Sequence, residues 1–349
     1  MGFAPPKYDS KSTDFFRTLK SRTDSYFKKN GIDKQGGFSM YFKTIFMISA
    51  YLTPYFFILF GDIQNLWLYA GLSILMGVFM SGIGLSIMHD AIHGSYSKNK
   101  RVNLFLGEVI NLVGGASINW KIQHNVLHHT YTNVEELDED IDSPSFLRFS
   151  PYSKRLKIHK FQFLYAWFFY GFLTINWAIF ADFSSLLRYR KRGLIKSASK
   201  YSFVFHLFKL VFLRAAYFCY MIAVPIWITD YSLISIILNF LLMHWVAGFI
   251  LSCIFQPAHV MESSPYSSVN EDEKIPSDWA SNQVRNTVNF APNNRIFTWF
   301  VGGLNYQVEH HLFPSICHIH YKKISKIVKA TAEEFNLPYH VQPTFRAAL

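Results

Sequence analysis

The heptapeptide Gln123-His124-Asn125-Val126-Leu127-His128-His129 carries three imidazoles on one short segment. On an α-helix, at about 100° per residue, His124 and His128 stand about 40° apart on one face, and His129 lies about 100° further round. A single short helix can therefore feed two neighbouring metal ions. Two further clusters answer it: His89-Asp90-Ala91-Ile92-His93 upstream and Gln307-Val308-Glu309-His310-His311 downstream, with an isolated His259 between. Eight imidazoles and one amide are more donors than one ion of ordinary coordination number accepts, so the pattern predicts a dinuclear centre.

The donor types narrow the chemistry. All-imidazole sites suit Zn, Fe, Cu or Ni; hard cations such as Mg and Ca want oxygen, and a thiolate cluster is excluded because Cys219, Cys253 and Cys317 form no C-x-x-C pair. Neither the H-E-x-x-H of zinc hydrolases nor a G-x-S-x-G elbow is present. A redox-active metal pair beside a membrane slot suits oxygen activation on a lipid, because no amino-acid side chain attacks an unactivated methylene.

The rest of the chain supplies the membrane. Half of the 349 residues are hydrophobic, with 35 Phe and 20 Tyr, and the mean hydropathy is +0.12. Long uncharged runs predict an all-α integral membrane protein with four transmembrane helices at 40–60, 66–88, 207–229 and 231–256. The first two runs are joined by Gly61-Asp62-Ile63-Gln64-Asn65, which lacks Lys and Arg and so lies outside. Residues 103–118 are short, Gly-containing and interrupted by Glu108, and read as an interfacial helix. Residues 161–181 are long enough to span but have positive charge on both sides; they too read as lying along or dipping into the membrane. With four crossings, every histidine cluster emerges on one cytosolic face, carried by a helical domain over 257–349 that includes an amphipathic helix around 322–335, with Ile324, Ile327, Val328 and Phe335 on one side. Residues 1–38 are polar and basic and read as a cytosolic N-terminal segment. The formal charge of +11 follows the flanks of the apolar runs, as an anionic inner leaflet requires, and nucleic-acid binding is set aside.

The three boxes, H-D-x-x-H, H-x-x-x-H-H and Q-x-x-H-H, in this order and with these gaps, resemble those of the membrane fatty acid desaturases, specifically the front-end type in which Gln opens the third box. The similarity extends through Phe255-Gln256-Pro257-Ala258-His259, Asp278-Trp279, Gly302-Gly303-Leu304-Asn305-Tyr306-Gln307 and His310-His311-Leu312-Phe313-Pro314, and makes 39–349 one desaturase domain.

That resemblance implies a di-iron enzyme that uses O2 and two electrons to leave a cis double bond in an acyl chain, carried by CoA or by a lipid. It implies iron ligation by His89, His93, His124, His128, His129, His259, His310 and His311. Gln307 would replace a histidine, or would orient a water or a neighbouring ring. Asp90, Asn305 and Glu309 sit beside these residues as candidate acceptors of a distal imidazole N–H. The chain contains no H-P-G-G haem motif, so electrons are expected from an external cytochrome b5 or ferredoxin. The basic run 188–200 could receive it, or could reflect topology alone. A bacterial inner membrane is the expected location.

Other histidines read differently. His318 and His320 are expected at the cytosolic surface or in an outer shell, and His159 and His340 at the surface. His206 and Arg214 are expected to snorkel. His244, inside the fourth run, belongs either to the acyl channel or to a helix–helix hydrogen bond. Two alternatives to an acyl desaturase stay open: a sphingolipid desaturase or lipid hydroxylase using the same boxes, and a histidine-rich metal transporter.

Overall fold

Four helices in the computed structural model are long and apolar enough to cross a membrane: Phe38–Phe60, Leu66–Ile92, Phe203–Ile228 and Leu233–His259. The structure describes residues 6–9, 14–142, 144–261, 265–270 and 274–349. Three of the four spans start where a polar side chain satisfies free amides of the first turn: Asn65 caps the second, Ser202 the third and Ser232 the fourth. The second and fourth spans pack tightly because Gly77 lets the backbones approach; a methyl group there would sit 2.4 Å from the Met243 carbonyl oxygen.

Neither interfacial segment is a straight helix. Lys100–Val113 and Ser117–Tyr131 meet at 114°, and Lys157–Tyr170 and Leu173–Lys191 at 63°. The first bend turns at Gly114, whose φ of 80° favours glycine and whose α-carbon faces the Tyr217 ring. A buried ion pair holds both bent segments to the third span. Arg214 reaches Asp182 at 2.6 Å and donates to the Gly114 carbonyl, while Asn119 donates to the Asp182 carboxylate at 2.9 Å. Arg214 therefore does not snorkel; at 5% exposure it is a buried cross-link whose charge is met by a carboxylate from another element.

The histidine-bearing ends carry a departure from α-geometry. The second span widens into π-helical turns at Ile83–Met88 immediately before His89, and the second box itself, Lys121–His128, is π-helical. Such wide turns are uncommon and concentrate at functional sites.

Beyond the spans lies a helical layer. The amino-terminal helix Asp14–Asn30 runs antiparallel to Tyr321–Glu334, with Phe15 against Phe335 and Phe27 against His320. Phe15, Leu19 and Phe27 bury against Ile324, Val328 and Ala332, each large apolar side chain contributing roughly 1.5–3 kcal/mol. The amphipathic carboxy-terminal helix appears where the periodicity predicts it, whereas the polar amino-terminal segment contains a packed helix that its composition conceals. Two short parallel strand pairs, Lys7–Tyr8 with Lys274–Ile275 and Val288–Phe290 with His340–Gln342, tie the termini to this layer.

Candidate metal centre

The second span delivers His89 and His93 at its end, the fourth delivers His259 as its last residue, and the π-helical segment and the short helix Gln307–Leu312 bring the other two clusters between them. Nitrogens of His89, His93, His124 and His310 lie within 4.8 Å of one another, as do those of His128, His259 and His311. A third grouping, His129 with His310 and His311, joins the two. The Nε2 atoms of His89 and His124 are 2.9 Å apart, those of His124 and His129 3.2 Å, and those of His129 and His310 3.0 Å. Two nitrogens bound at 2.0–2.1 Å to one ion lie roughly 2.9–3.4 Å apart, so this spacing fits metal-sharing rings.

Hydrogen bonds on the far side of the rings aim them. The His128 Nδ1 faces Asp138 at 2.9 and 3.1 Å and Asp140 at 3.3 Å. His311 Nδ1 contacts Gln283 Oε1 at 2.8 Å, where the Thr132 hydroxyl also donates. His310 Nδ1 lies 3.2 Å from the Tyr321 hydroxyl, and His259 Nδ1 faces the Asn286 carbonyl at 3.3 Å. In each case Nε2 is left facing inward, the arrangement that fixes a metal-binding tautomer. The buried Nε2 atoms of His93 and His311, the Nδ1 atoms of His89 and His129, and the Gln307 Oε1 have no hydrogen-bond partner. Where the orphan is the ring's inward nitrogen, as at His311, it fits a metal ion of the imidazole-binding class.

The protonation states agree. Burial, reinforced by repulsion from neighbouring rings, holds His93, His124, His129, His310 and His311 well below the ordinary imidazole value, so all are neutral and their lone pairs are free. His128 is the exception: burial opposes its charge, but Asp138 and Asp140 outweigh it and raise it to about 9.

Several expected neighbours play other parts. Asp90 accepts from His318 Nδ1 at 2.7 Å and from the Cys317 thiol at 3.0 Å, while its other oxygen stands 3.9 Å from His89 Nδ1. His318 is thus a buried partner of Asp90, not a surface residue, and its Nε2 lies 3.1 Å from the buried Lys43 ammonium. Glu309 and Asn305 do not accept an imidazole N–H. Glu309 points away from the rings to Tyr339 and Asn289, at 2.7 and 2.8 Å, with burial raising it to about 7. The Asn305 amide donates to Thr298 and the Ala291 carbonyl. His244 uses both nitrogens, toward Thr174 at 2.9 Å and Tyr217 at 2.7 Å, which makes it a cross-link between helices. The basic run 188–200 is partly neutralised: Arg188 grips Glu139 with two bonds of 2.9 and 2.8 Å, and Arg192 lies 3.6 Å from the same carboxylate.

Sequence reasoning missed Asp138, Gln283 and Tyr321. Asp138 is one of six acidic residues between 135 and 142, and Gln283 sits on a helix that carries no box; only proximity in space connects either to a histidine.

The sequence matches the family model described as fatty acid desaturase over residues 65–343. It is 33% identical to an sn-1 linoleoyl-lipid 6-desaturase of Synechocystis sp. over 96% of this chain and 92% of that protein. The corresponding enzyme of Arthrospira platensis is 35% identical over 97% and 90%, and an acyl-lipid (8-3)-desaturase of Physcomitrium patens 33% over 98% and 70%. With its histidine clusters and membrane-spanning helices, the chain belongs to the fatty acid desaturase family and is an oxidoreductase of lipid metabolism.

Proposed function

We propose that the chain is an O2-dependent, di-iron desaturase of front-end regiochemistry, which introduces a cis double bond between an existing one and the carboxyl end of a lipid-borne acyl chain. The observation that carries this reading is a cavity of about 800 Å³ that has His124 and Trp120 in its wall. Its apolar lining includes Phe169, Phe172, Trp177 and Phe255, and its polar lining Gln123, Asp140 and Arg188. An acyl chain suits the first group and a head group the second. The third box opened by Gln307 and relatives named as 6- and (8-3)-desaturases support attack on the carboxyl side.

The same cavity is lined by Glu136, Glu139, Asp140 and Asp142, and its two guanidiniums, Arg188 and Arg192, already face Glu139. That balance disfavours a polyanionic CoA thioester and favours a lipid head group; relatives named for acyl-lipid substrates support the same choice.

In this reading the eight box and isolated histidines, with Gln307, hold two iron ions. When bound, the iron pair supplies the oxygen activation that an unactivated methylene requires. The chain supplies position. Asp138, Gln283, Asn286 and Tyr321 keep His128, His311, His259 and His310 facing inward. Trp120, stacked on His124 at 5.1 Å and edge-on to Trp177 at 5.7 Å, gives the cavity an aromatic wall beside the rings and limits water there. Electrons come from an external carrier. The site faces the cytosol, at the inner membrane if the host is a bacterium; the basic flanks support that side.

The test is expression in a host with simple fatty acids, fed linoleate, with double bonds mapped by mass spectrometry and His128→Ala as the paired control. A new cis bond on the carboxyl side, absent from the control, is expected. An inserted oxygen would point instead to a hydroxylase, and no product from iron-loaded enzyme supplied with reductant would refute the reading.

A further inference from the structure

The desaturase reading requires electrons from outside the chain, and one lysine-rich surface lies directly behind the histidines. The helices Asp14–Asn30 and Tyr321–Glu334 together carry nine Lys and Arg against four carboxylates. Three of the four carboxylates are spent on ion pairs at one end of the antiparallel pair, and the fourth, Asp24, is held by Lys34. At one end Asp14 pairs with Arg17, Glu334 with Arg22 and Glu333 with Lys329. At the other end Lys28, Lys29, Lys322, Lys323 and Lys326 are exposed and make no ion pair among the described residues. Ile319, 39% exposed, lies beside them, an apolar spot in a cationic surround, as in many protein interfaces.

Immediately beneath this end, one short stretch of chain reaches the His89–His93–His124–His310 half of the metal centre at two points. Tyr321 contacts His310 Nδ1, and His318 contacts Asp90, which flanks His89. Lys322 and Lys323 follow Tyr321 in sequence, so surface and rings are separated by one side chain. The competing patch at 188–200 also approaches the rings, through Glu139 between the Asp138 and Asp140 carboxylates that face His128, but it gives two of its guanidiniums to Glu139.

We infer that the lysine-rich end formed by Lys28, Lys29, Lys322, Lys323 and Lys326 is the docking surface for a small acidic one-electron carrier protein, with Tyr321 as the route from it to His310. This rests on the desaturase reading. Per double bond, one O2, two hydrogens of the acyl chain, two carrier electrons and two protons give two water molecules, so two reduced carriers must dock and leave oxidised in each turnover. A carrier that must bind briefly and repeatedly is served by electrostatic attraction, which gives fast association without tight binding. An anionic membrane surface is the lesser fit, because the apolar residues of the carboxy-terminal helix, Ile324 and Val328, are buried against its neighbours rather than presented to lipid.

The experiment uses full-length, iron-loaded enzyme in neutral-lipid nanodiscs, with a plant-type ferredoxin and the soluble domain of cytochrome b5 as acidic carriers. For Lys322→Glu/Lys323→Glu/Lys326→Glu, the carrier concentration giving half-maximal rate should rise about tenfold or more at low ionic strength, and the wild-type value should climb with salt toward that of the variant. Iron content and product formed in a single turnover of chemically pre-reduced enzyme should not change. Tyr321→Phe should slow carrier-driven reduction while leaving that half-maximal concentration unchanged. Unaltered carrier dependence in the triple variant, or its loss instead in Lys191→Glu/Lys196→Glu/Lys200→Glu, overturns the assignment. So does a triple variant whose only defect is weaker association with anionic vesicles. A pre-reduced wild-type enzyme that makes no product defeats the desaturase reading itself, an outcome distinct from these.

Discussion

Asp138 spans the Nδ1 nitrogen of His128 with both carboxylate oxygens, at 2.9 and 3.1 Å, and the same carboxylate accepts the backbone amide of Asn133 at 2.9 Å. One acidic residue thereby fixes the tautomer of a ring and the turn that follows it. Asp138→Asn should lower metal occupancy or turnover by about 10–100-fold, the usual effect of losing such a partner. Iron per chain and product yield, measured together, check it; wild-type values for both would show that Asp138 serves only the turn.

Gln307 is 1% exposed, and its Oε1 has no hydrogen-bond partner. A buried unpaired amide oxygen is costly, by about 1–3 kcal/mol, unless something else engages it. Gln307→His is expected to disturb turnover more than metal content. If rate and double-bond position both match wild type, the amide has no part in the chemistry.

The Arg214–Asp182 pair binds the third span to both bent segments. Arg214→Met leaves the Asp182 carboxylate buried without its cation, an error of about 3–5 kcal/mol. The variant should inactivate at clearly lower temperature in detergent, and Arg214→Met/Asp182→Leu should recover part of the loss. A single variant as heat-resistant as wild type would contradict the account.

Acid should destabilise the metal-free protein. Unfolded imidazoles take up protons as the pH drops through about 6.5, whereas His93, His124, His129, His310 and His311 resist doing so in the fold, so the unfolded state gains. His128, raised to about 9, works the other way: its contribution is complete below about 6.5 and fades as the pH rises through 9. Five rings outweigh one, so the melting midpoint of chelator-stripped enzyme is expected to fall steadily from pH 7 to pH 5. A flat profile would mean that the rings are not held neutral.

The spans and the boxes were legible because each is written in local pattern. Apolar runs have a length that the bilayer sets, and paired histidines have a spacing that stands out from any composition. What escaped was whatever depends on two distant segments meeting. Asp138 and Gln283 acquire meaning only once folding sets them beside His128 and His311. Arg214 has the position of a snorkelling residue, and nothing in its own neighbourhood announces Asp182. His318 follows the third box closely enough to look like surface, yet the turn at Cys317 carries it inward to Asp90. The amino-terminal helix was obscured for a different reason: its apolar stripe, Phe15, Leu19, Phe27, is narrow, and its charged face dominates the composition.

The second box also differs from its expected form in a way that bears on how this chain can vary. Across Lys121–His128 the backbone is π-helical, holding about one residue more than an α-helix would in the same rise. Removing a single residue there would let the segment tighten to α-geometry with its two ends still in register. A deletion between His124 and His128 would, however, leave those rings three residues apart instead of four, although every ligand was still encoded. Along this stretch the length between His124 and His128 is a stricter requirement than identity at the exposed Lys121.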